Sequence, residues 1–336
     1  MSQVVNTSAR DACQAASSTT VSVIIPTYNT TEYIAQALDS VLAQTLKADE
    51  IIVINDGSPD TDELERVLEP YRERIVYLKQ ENGGVSSARN AGIRAARGAL
   101  IAQLDPDDLW EPDYLAFQVA AIESDPTIDV LYPNGLIFGD TAADAGREIM
   151  DICPSEGEVT FESLVTRQCT VMAYAIARRE TLIRAGLYDE SLLCSEDFDL
   201  WLRIVKQGGR IAYHRRVLAH YRRRPGSHTS DPVWLYGNIL KVLDKAEQTM
   251  TLTERERETL RRERKKFRAM LRLSEGKRAF FKGDVKAAIE GLTEANAFFK
   301  SRKTALVLWL LRFAPRLLVT VYSLRDRFIL KTSTRF

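Results

Sequence analysis

The chain has 336 residues, of which 45% are hydrophobic and 27% are charged. This composition excludes an intrinsically disordered protein and predicts one full-sized domain with an appendage. The 46 basic and 46 acidic side chains cancel overall, but residues 255–278 carry eleven Lys/Arg against four Asp/Glu, and residues 300–336 carry nine against one. Such segments favour an anionic partner, for which we expect a membrane surface and not nucleic acid.

The cysteines and the N-terminal segment bear on the cellular compartment. Cys13, Cys153, Cys169 and Cys194 are scattered and form no Cys-x-x-Cys pair, so the sequence indicates neither a zinc site nor a disulfide framework. Residues 1–19 have no apolar run behind positive charges, which predicts a disordered leader and not a secretory signal. We expect a cytoplasmic protein, with a peripheral position on the inner face of the cytoplasmic membrane as the second expectation.

Short β-branched runs alternate with helical patterns over the first hundred residues. Strands are predicted at residues 21–25, 51–54, 75–78 and 99–104. This alternation predicts an α/β fold with a Rossmann-like, mostly parallel sheet flanked by helices. Further strands are expected near Val130 and at 171–177. Residues 20–230 are expected to form this α/β domain, and residues 231–336 a helical, basic C-terminal region.

Polar residues follow each of the four predicted strands. They are Pro26, Thr27, Tyr28 and Asn29 after the first strand, Asp56 after the second, Asn82 and Gly84 after the third, and Asp105 and Asp107 after the fourth. Because ligands of parallel sheets bind beyond the carboxyl ends of the strands, these residues are expected to line one binding site.

Asp105 and Asp107 are the candidate metal ligands. Carboxylate oxygens suit Mg²⁺ or Mn²⁺ bound to a diphosphate, and the metal would offset negative charge on a departing diphosphate. An acidic turn that merely caps the next helix is the more common explanation of an isolated Asp-x-Asp. The polar ends of the three preceding strands favour the metal site here.

Two further features suit the rest of a nucleotide. The Asp56 carboxylate could accept hydrogen bonds from a base or a ribose, although Asp-Gly-Ser is more often a plain turn. Asn82 to Gly84 open a helix whose free N–H groups favour an anion, with Arg89 and Asn90 one to two turns inside it. The alternative is a glycine turn with an ordinary helix N-cap.

Candidates for the chemistry of transfer lie later in the chain. Asp197 could take a proton from an acceptor hydroxyl, and Glu196 beside it could face the diphosphate or the acceptor. Carboxylates are also favoured in a first helical turn for electrostatic reasons alone. Further candidates for the diphosphate or acceptor side are Trp201, Arg222 and Arg224, and His228 is a candidate metal ligand or an exposed loop residue.

These motifs together resemble glycosyltransferase family 2, whose members are inverting enzymes of the GT-A fold. The resemblance rests on the segments 21–29, 54–58, 82–92, 104–108 and 196–201 in this order, and it covers about residues 20–230. It implies a nucleotide-sugar donor, most often a UDP-sugar, a divalent metal at Asp105 and Asp107, and Asp197 as the catalytic base. Asn55 stands where many members carry a second aspartate, which leaves Asp56 as the only carboxylate of that motif.

The resemblance also narrows the activity. The Gln-x-x-Arg-Trp pattern of processive members is missing after Trp201, which favours transfer of a single sugar to a glycan or lipid-linked acceptor, in cell-surface polysaccharide synthesis. The alternative is a nucleotide-sugar binding or scaffolding protein that retains the fold without turnover. A dinucleotide-dependent oxidoreductase is disfavoured, because no Gly-x-Gly-x-x-Gly follows Ile25.

The C-terminal region is predicted to be helical. Residues 306–324 are apolar but are interrupted by Arg312, Pro315 and Arg316, which predicts a poor membrane-spanning helix. We expect these basic helices to lie in a membrane interface. The alternative is that they pack on the catalytic domain or on a partner subunit.

Overall fold

The computed structural model describes residues 19–139, 144–224 and 231–314. They form an α/β domain followed by a helical region, as predicted. The strands are β1 Val21–Thr27, β2 Glu50–Asp56, β3 Val76–Gln80, β4 Leu100–Gln103, β5 Leu109–Trp110, β6 Val130–Phe138, β7 Ile176–Arg178 and β8 Ile211–Arg222. The helices are α1 Thr31–Leu42, α2 Thr61–Leu68, α3 Gly84–Ala95, α4 Tyr114–Ser124, α5 Phe161–Val165, α6 Arg179–Arg184, α7 Glu196–Lys206, α8 Pro232–Thr249, α9 Glu254–Phe281, α10 Val285–Phe299 and α11 Arg302–Phe313, with short 3₁₀ helices at Glu69–Arg74 and Ile149–Asp151.

The strands form one mixed sheet in the order β3-β2-β1-β4-β7-β6-β8-β5. β1 pairs in parallel with β2 and β4, and β2 pairs in parallel with β3, so the predicted parallel half is confirmed. β7 lies antiparallel to β4 and to β6, while β8 pairs in parallel with β6 and antiparallel with β5. From β1 the chain adds β2 and β3 on one side of the sheet and then adds β4 on the other side of β1. Open α/β sheets bind ligands at such a reversal of strand order.

Close packing of α3 on the sheet brings its first turn to the strand ends. All residues of β1 are buried, as expected for a parallel strand covered on both faces. A Cβ added to Gly92 of α3 would lie 2.5 Å from Cγ2 of Ile24 in β1. No larger residue fits there without movement of the helix, so glycine sets the distance between α3 and the sheet.

The half of the sheet beyond β4 departs from the prediction. The strand expected at 171–177 exists only as the three-residue β7, and the short strand β5 was not predicted. Val171 and Tyr174 are buried although they lie outside a strand. The carbonyl of Tyr174 accepts a hydrogen bond of 2.7 Å from the hydroxyl of Tyr114, so a side chain satisfies a backbone group that a strand partner would otherwise satisfy.

The described residues divide into two compact units. One holds those of 1–227 together with 242–259, and the other holds those of 228–241 and 260–336. In the first unit, Lys245 Nζ lies 2.5 Å from Asp189 Oδ2 and 2.8 Å from Oδ1 of the fully buried Asp199. A truncation near residue 230 would therefore leave a buried carboxylate without one of its cations. The boundary expected at residue 230 stays a prediction.

The second unit has its own apolar cluster. Ala288 and Leu292 of α10 pack with Leu308 and Leu311 of α11. No helix among the described residues is long and apolar enough to cross a membrane.

Candidate active site

The loop after β1 is braced against the loop after β2. Thr27 is buried, and its hydroxyl donates to the carbonyl of Ile54 at 2.8 Å. The backbone N–H of Asn29, which has a φ of +52°, donates to Oγ of Ser58 at 2.7 Å. Between them Tyr28 is exposed, and Pro26 is buried inside β1. Of the four predicted residues, Tyr28 and Asn29 are exposed, and Thr27 holds the loop in place.

The Asp56 carboxylate caps helix α3. Its Oδ1 accepts from Nε2 of Gln80 at 2.7 Å and from the N–H of Gly83 at 2.9 Å, and its Oδ2 accepts from the N–H of Gly84 at 2.8 Å. Asn82 donates to the Asp56 carbonyl at 3.0 Å. The start of this helix thus already holds the protein's own carboxylate, and the contact of Asn82 and Gly84 with a donor stays a prediction. A carboxylate has about four acceptor positions, so Asp56 keeps room for one donor from a ligand.

Asn55 has a structural reason to be an amide. Its Nδ2 donates to Oγ1 of Thr61 at 2.9 Å and to the hydroxyl oxygen of Tyr77 at 2.8 Å, while its Oδ1 accepts from the N–H of Ser58 at 2.8 Å. An ionised aspartate could not donate to either oxygen. The departure from the family pattern therefore stabilises the loop after β2.

Arg89 joins the acidic strand end to the start of α7. Its guanidinium lies 2.8 Å from Oδ1 of Asp105 and 2.5 Å from Oε1 of Glu196. Burial opposes the charge of Arg89, but the carboxylates of Asp105 and Glu196 raise its pKa well above the usual value. Arg89 thus holds the two predicted carboxylate motifs at one place, although 107 residues separate it from Glu196.

Asn90 binds the protein itself. Its Nδ2 donates to the carbonyl of Tyr188 at 2.9 Å and to Oε1 of Glu190 at 2.8 Å, and its Oδ1 accepts from the N–H of Tyr188 at 2.9 Å. The side chain is buried. Asn90 therefore braces the loop that precedes α7, and its contact with the donor stays a prediction.

The turn after β4 concentrates negative charge. Burial and then the charge of Asp105 raise the pKa of Asp107, although an ion pair of 2.6 Å with Nε of Arg224 opposes this. Burial and then the charges of Asp107 and Asp105 raise the pKa of Asp108 well above its usual value. Asp108 Oδ1 accepts from the backbone N–H of Arg222 at 2.8 Å. Asp108 is thereby a structural member of the turn, which leaves Asp105 and Asp107 as the candidate ligands.

Both predicted arginines lie at this turn. Nε of Arg222 donates to the Asp107 carbonyl at 2.7 Å, and its guanidinium lies 4.3 Å from the ring centroid of Phe138. Arg224 pairs with the Asp107 carboxylate. His228 lies outside the described residues.

Helix α7 presents Asp197 from its first turn. Glu196 is held by Arg89, whereas the Asp197 carboxylate accepts from the N–H of Phe198 at 2.7 Å and keeps part of its surface open. Burial and then the charge of Glu196 raise the pKa of Asp197 to about 6. Trp201 is 1% exposed, so the structure places it in the core beneath α7 and not on the predicted acceptor surface.

The candidate site also contains Tyr188 and Arg167, which were not predicted from the sequence. The hydroxyl of Tyr188 donates to Oε1 of Gln103 at 2.9 Å, and its ring centroid lies 5.4 Å from the guanidinium carbon of Arg89. Arg167 lies over the ring of Phe198 at 4.5 Å. Gly186 is a sequence signal for the tight turn before Tyr188, where Gly186 and Leu187 both have left-handed backbones, and nothing in the sequence singled out Arg167.

This fold is that of the GT-A class of transferases. TarS 1-349 from S. aureus, solved in complex with UDP-GlcNAc, matches with a TM-score of 0.60 at 21% identity over 87% of each chain. The mannosyltransferase PcManGT from Pyrobaculum calidifontis, solved in complex with GDP-Man and Mn²⁺, matches with a TM-score of 0.59 at 19% identity over 92% of this chain and 88% of that one. At these identities the comparison shows the fold.

The chain belongs to glycosyl transferase family 2. The family model matches residues 22–180. A glycosyltransferase of Rickettsia prowazekii (strain Madrid E), RP339, is 32% identical over 247 residues, which are 68% of this chain and 74% of the relative. The protein is therefore a glycosyltransferase. The family match ends before α7 and does not include Asp197, whose role as the base stays a prediction.

Proposed function

We propose that this protein is an inverting glycosyltransferase that moves one sugar from a nucleoside-diphosphate sugar to a hydroxyl group of a glycan or lipid-linked acceptor. A UDP-sugar with a hexosyl or N-acetylhexosaminyl group is the first donor candidate, since the similar TarS was solved with UDP-GlcNAc. Cell-surface polysaccharide synthesis is the proposed setting. The observation that carries the proposal is Arg89, because it holds the acidic end of β4 beside the candidate base on α7.

The residues of the β4 turn fit a divalent cation. Burial and then the charge of Asp105 raise the pKa of Asp107, and a positive ion held by Asp105 and Asp107 would offset both effects. Among the described residues, no group of three or more His, Cys, Asp or Glu converges as a complete metal site. The diphosphate of the donor would then supply further ligands, as is usual for Mg²⁺. When bound, the metal supplies charge stabilisation for the departing diphosphate.

Asp197 is the better base of the two carboxylates that open α7. Glu196 is engaged in an ion pair with Arg89, whereas Asp197 is partly open and accepts one hydrogen bond from its neighbour in sequence. A raised pKa makes a carboxylate a stronger base while leaving it ionised at neutral pH. We propose that Asp197 takes the proton of the acceptor hydroxyl as its oxygen attacks the anomeric carbon opposite the leaving diphosphate, which inverts the configuration.

A donor panel tests this function. The full chain is incubated with UDP-glucose, UDP-galactose, UDP-GlcNAc, UDP-GalNAc and GDP-mannose, with Mn²⁺, with Mg²⁺ or with a chelator, and nucleotide release is measured. We expect release from one donor class, and a loss of at least about 100-fold on chelation, because the leaving-group charge is then uncompensated.

Asp107→Asn should reproduce the effect of the chelator, with a loss of about 100-fold or more. Asp113→Asn is the matched control, since Asp113 lies six positions further along the chain at the N-terminus of α4 and pairs with Arg216. If the parent protein binds a nucleotide but releases none from any donor, the alternative of a non-catalytic nucleotide-sugar binding protein replaces our proposal. Equal activity with metal and with chelator would remove the metal from it.

We also propose that the C-terminal unit lies against an anionic membrane surface. Leu306, Trp309 and Phe313 recur at helical spacing on one face of α11, and they are 59%, 56% and 73% exposed. Arg302 and Arg312 of the same helix supply positive charge. An exposed apolar face flanked by cations is typical of helices that lie in the membrane interface.

Vesicle sedimentation measures this contact. The double variant Leu306→Glu/Trp309→Glu is expected to lower the partition coefficient onto vesicles with one third phosphatidylglycerol by about tenfold or more, because it puts two negative charges on the apolar face. Ile183→Glu makes the same kind of change at an exposed apolar residue of α6 and should have no effect. Equal pelleting of the double variant and the parent would refute the proposed contact.

A further inference from the structure

An unusual arginine stands beside the proposed base. Arg167 follows α5 and has a φ of +62°, in the left-handed region that few residues other than glycine adopt. Its guanidinium carbon lies 4.5 Å from the centroid of the Phe198 ring, and Phe198 comes directly after Asp197. The ring supports the flat face of the guanidinium and leaves its N–H edge for other partners.

Arg167 has no partner among the residues that the structure describes. Its side chain makes neither a hydrogen bond nor an ion pair with any of them, and its guanidinium lies over the ring of Phe198. The other arginines of the site differ, since Arg89 pairs with two carboxylates and Arg224 pairs with Asp107. Burial lowers the pKa of Arg167 although Asp197 acts in the opposite direction, so the guanidinium is only partly compensated. A half-buried cation with five free donors is a site for an anion.

The surroundings of Arg167 are those of the acceptor side. The ionisable groups that act on its charge are Asp197, Cys153 and Cys194. The cations that act on Asp107 and Asp108 are Arg224 and Arg222 instead. Arg167 thus lies near the base, and other arginines serve the turn where the donor diphosphate is expected.

We propose that Arg167 binds an anionic group of the acceptor, a phosphate or a carboxylate, and so places the attacking hydroxyl at Asp197. This inference rests on the proposed function and adds a class of acceptor to it. The planar guanidinium can hold either anion through two parallel hydrogen bonds, which fixes orientation as well as position. Arg167 is therefore a specificity-determining residue, and neutral acceptors of the same shape should bind less well.

Calorimetry on the full chain tests the inference without knowledge of the natural acceptor. The protein is first saturated with UDP and Mg²⁺, and then titrated with glycerol 1-phosphate, with glucuronate, or with glycerol as the neutral probe. We expect the parent to bind at least one of the anions in the millimolar range and to bind glycerol at least about tenfold more weakly. Which anion binds more tightly distinguishes a phosphate from a carboxylate.

Variants assign the binding to Arg167. Arg167→Gln should raise the Kd of the anion by at least about tenfold, and Arg167→Lys should raise it less, since the charge remains and the fork is lost. Arg184→Gln is the matched control, because Arg184 is exposed on α6 and is not at the site. Thermal unfolding verifies that each variant is folded, and the Kd of UDP should be the same in all of them.

Four results would overturn the inference. A parent that binds neither anion, or an Arg167→Gln variant that binds it as tightly as the parent, excludes the site. A tenfold rise in the Kd of UDP in Arg167→Gln makes Arg167 a ligand of the donor diphosphate. If the parent prefers UDP-glucuronate to UDP-glucose and Arg167→Gln abolishes this preference, Arg167 binds an anionic group of the donor sugar and not of the acceptor. Failure of the proposed function looks different, since the parent would then bind no UDP or release nucleotide from no donor.

Discussion

Asp197→Asn is expected to lower kcat for sugar transfer by roughly 10²–10⁴-fold, the usual contribution of a general base. Asparagine has almost the same size as aspartate but cannot take up the proton of the acceptor hydroxyl. Arg89, Arg222 and Arg224 hold the turn after β4 and are all unchanged, so the substitution should leave the Kd of the donor nucleotide within about threefold of the parent value. Initial rates and calorimetry on the same preparations measure the two quantities.

The pH profile gives this prediction a second readout. Burial and the charge of Glu196 raise the pKa of Asp197 to about 6. Only the ionised form accepts a proton, so kcat/KM of the parent should rise about tenfold per pH unit below 6 and level off above it. The residual activity of Asp197→Asn should lack this acid limb, which is the rise of kcat/KM with pH below 6. A near-parental rate in the variant, or the same bend near pH 6, would show that another group is the base.

Asp197→Asn should make the protein more stable at neutral pH although it lowers the rate of transfer. The folded pKa of Asp197 lies above the value of about 3.9 for an unfolded chain, so ionising this carboxylate costs stability as the pH rises from about 4 through 6. Asparagine removes that cost. The variant should therefore unfold at a higher temperature than the parent at pH 8, and this advantage should disappear below about pH 4. A residue that weakens the fold at working pH is expected where function requires it.

The parallel half of the fold could be predicted from the sequence because its signals are local. Three of the four strands, β1, β2 and β4, are mostly apolar runs that are buried, while β3 at the sheet edge is partly exposed. Each strand is followed by a polar loop such as the one that begins at Asp105. Strand direction then follows from the helices between them, and the meeting of the four loops follows from strand direction. The half beyond β4 gave no such signal, since residues such as Tyr174 are buried in a loop and not in a strand.

Partnerships within the site could not be predicted, because several partners compete for each polar group. Asp56 was equally suited to a ribose and to the N-terminus of α3, and the structure shows that it caps the helix. Arg89 was suited to a phosphate, but it pairs with Asp105 and with Glu196. These choices depend on distances between segments far apart in sequence. Residues 242–259 belong to the first compact unit for the same kind of reason, through Lys245.

Arg89→Met is expected to reduce the free energy of unfolding by about 3–5 kcal/mol, because it leaves the carboxylates of Asp105 and Glu196 without their shared cation in a buried setting. Arg94→Met is the matched control on the same helix. The Arg94 side chain is 60% exposed and lies 3.6 Å from Oε1 of Glu190, so its loss should cost no more than about 1 kcal/mol. Urea unfolding at pH 7 measures both values.

The pH profiles of Arg89 variants separate a structural role of Arg89 from an effect of its charge on the proposed base. Arg89 opposes the rise in the pKa of Asp197, so its removal should move the acid limb of the kcat/KM profile above pH 6. Arg89→Lys retains the charge and should leave the limb in place, but a single ammonium cannot span both carboxylates as the fork does, so part of the stability should still be lost. The prediction is wrong if Arg89→Met is as stable as Arg94→Met and its kcat/KM profile still bends near pH 6. The ion pairs of Arg89 with Asp105 and Glu196 would then contribute neither to stability nor to the pKa of Asp197. The proximity of Asp105 to Asp197 would then have to depend on the packing of α3 and α7 alone.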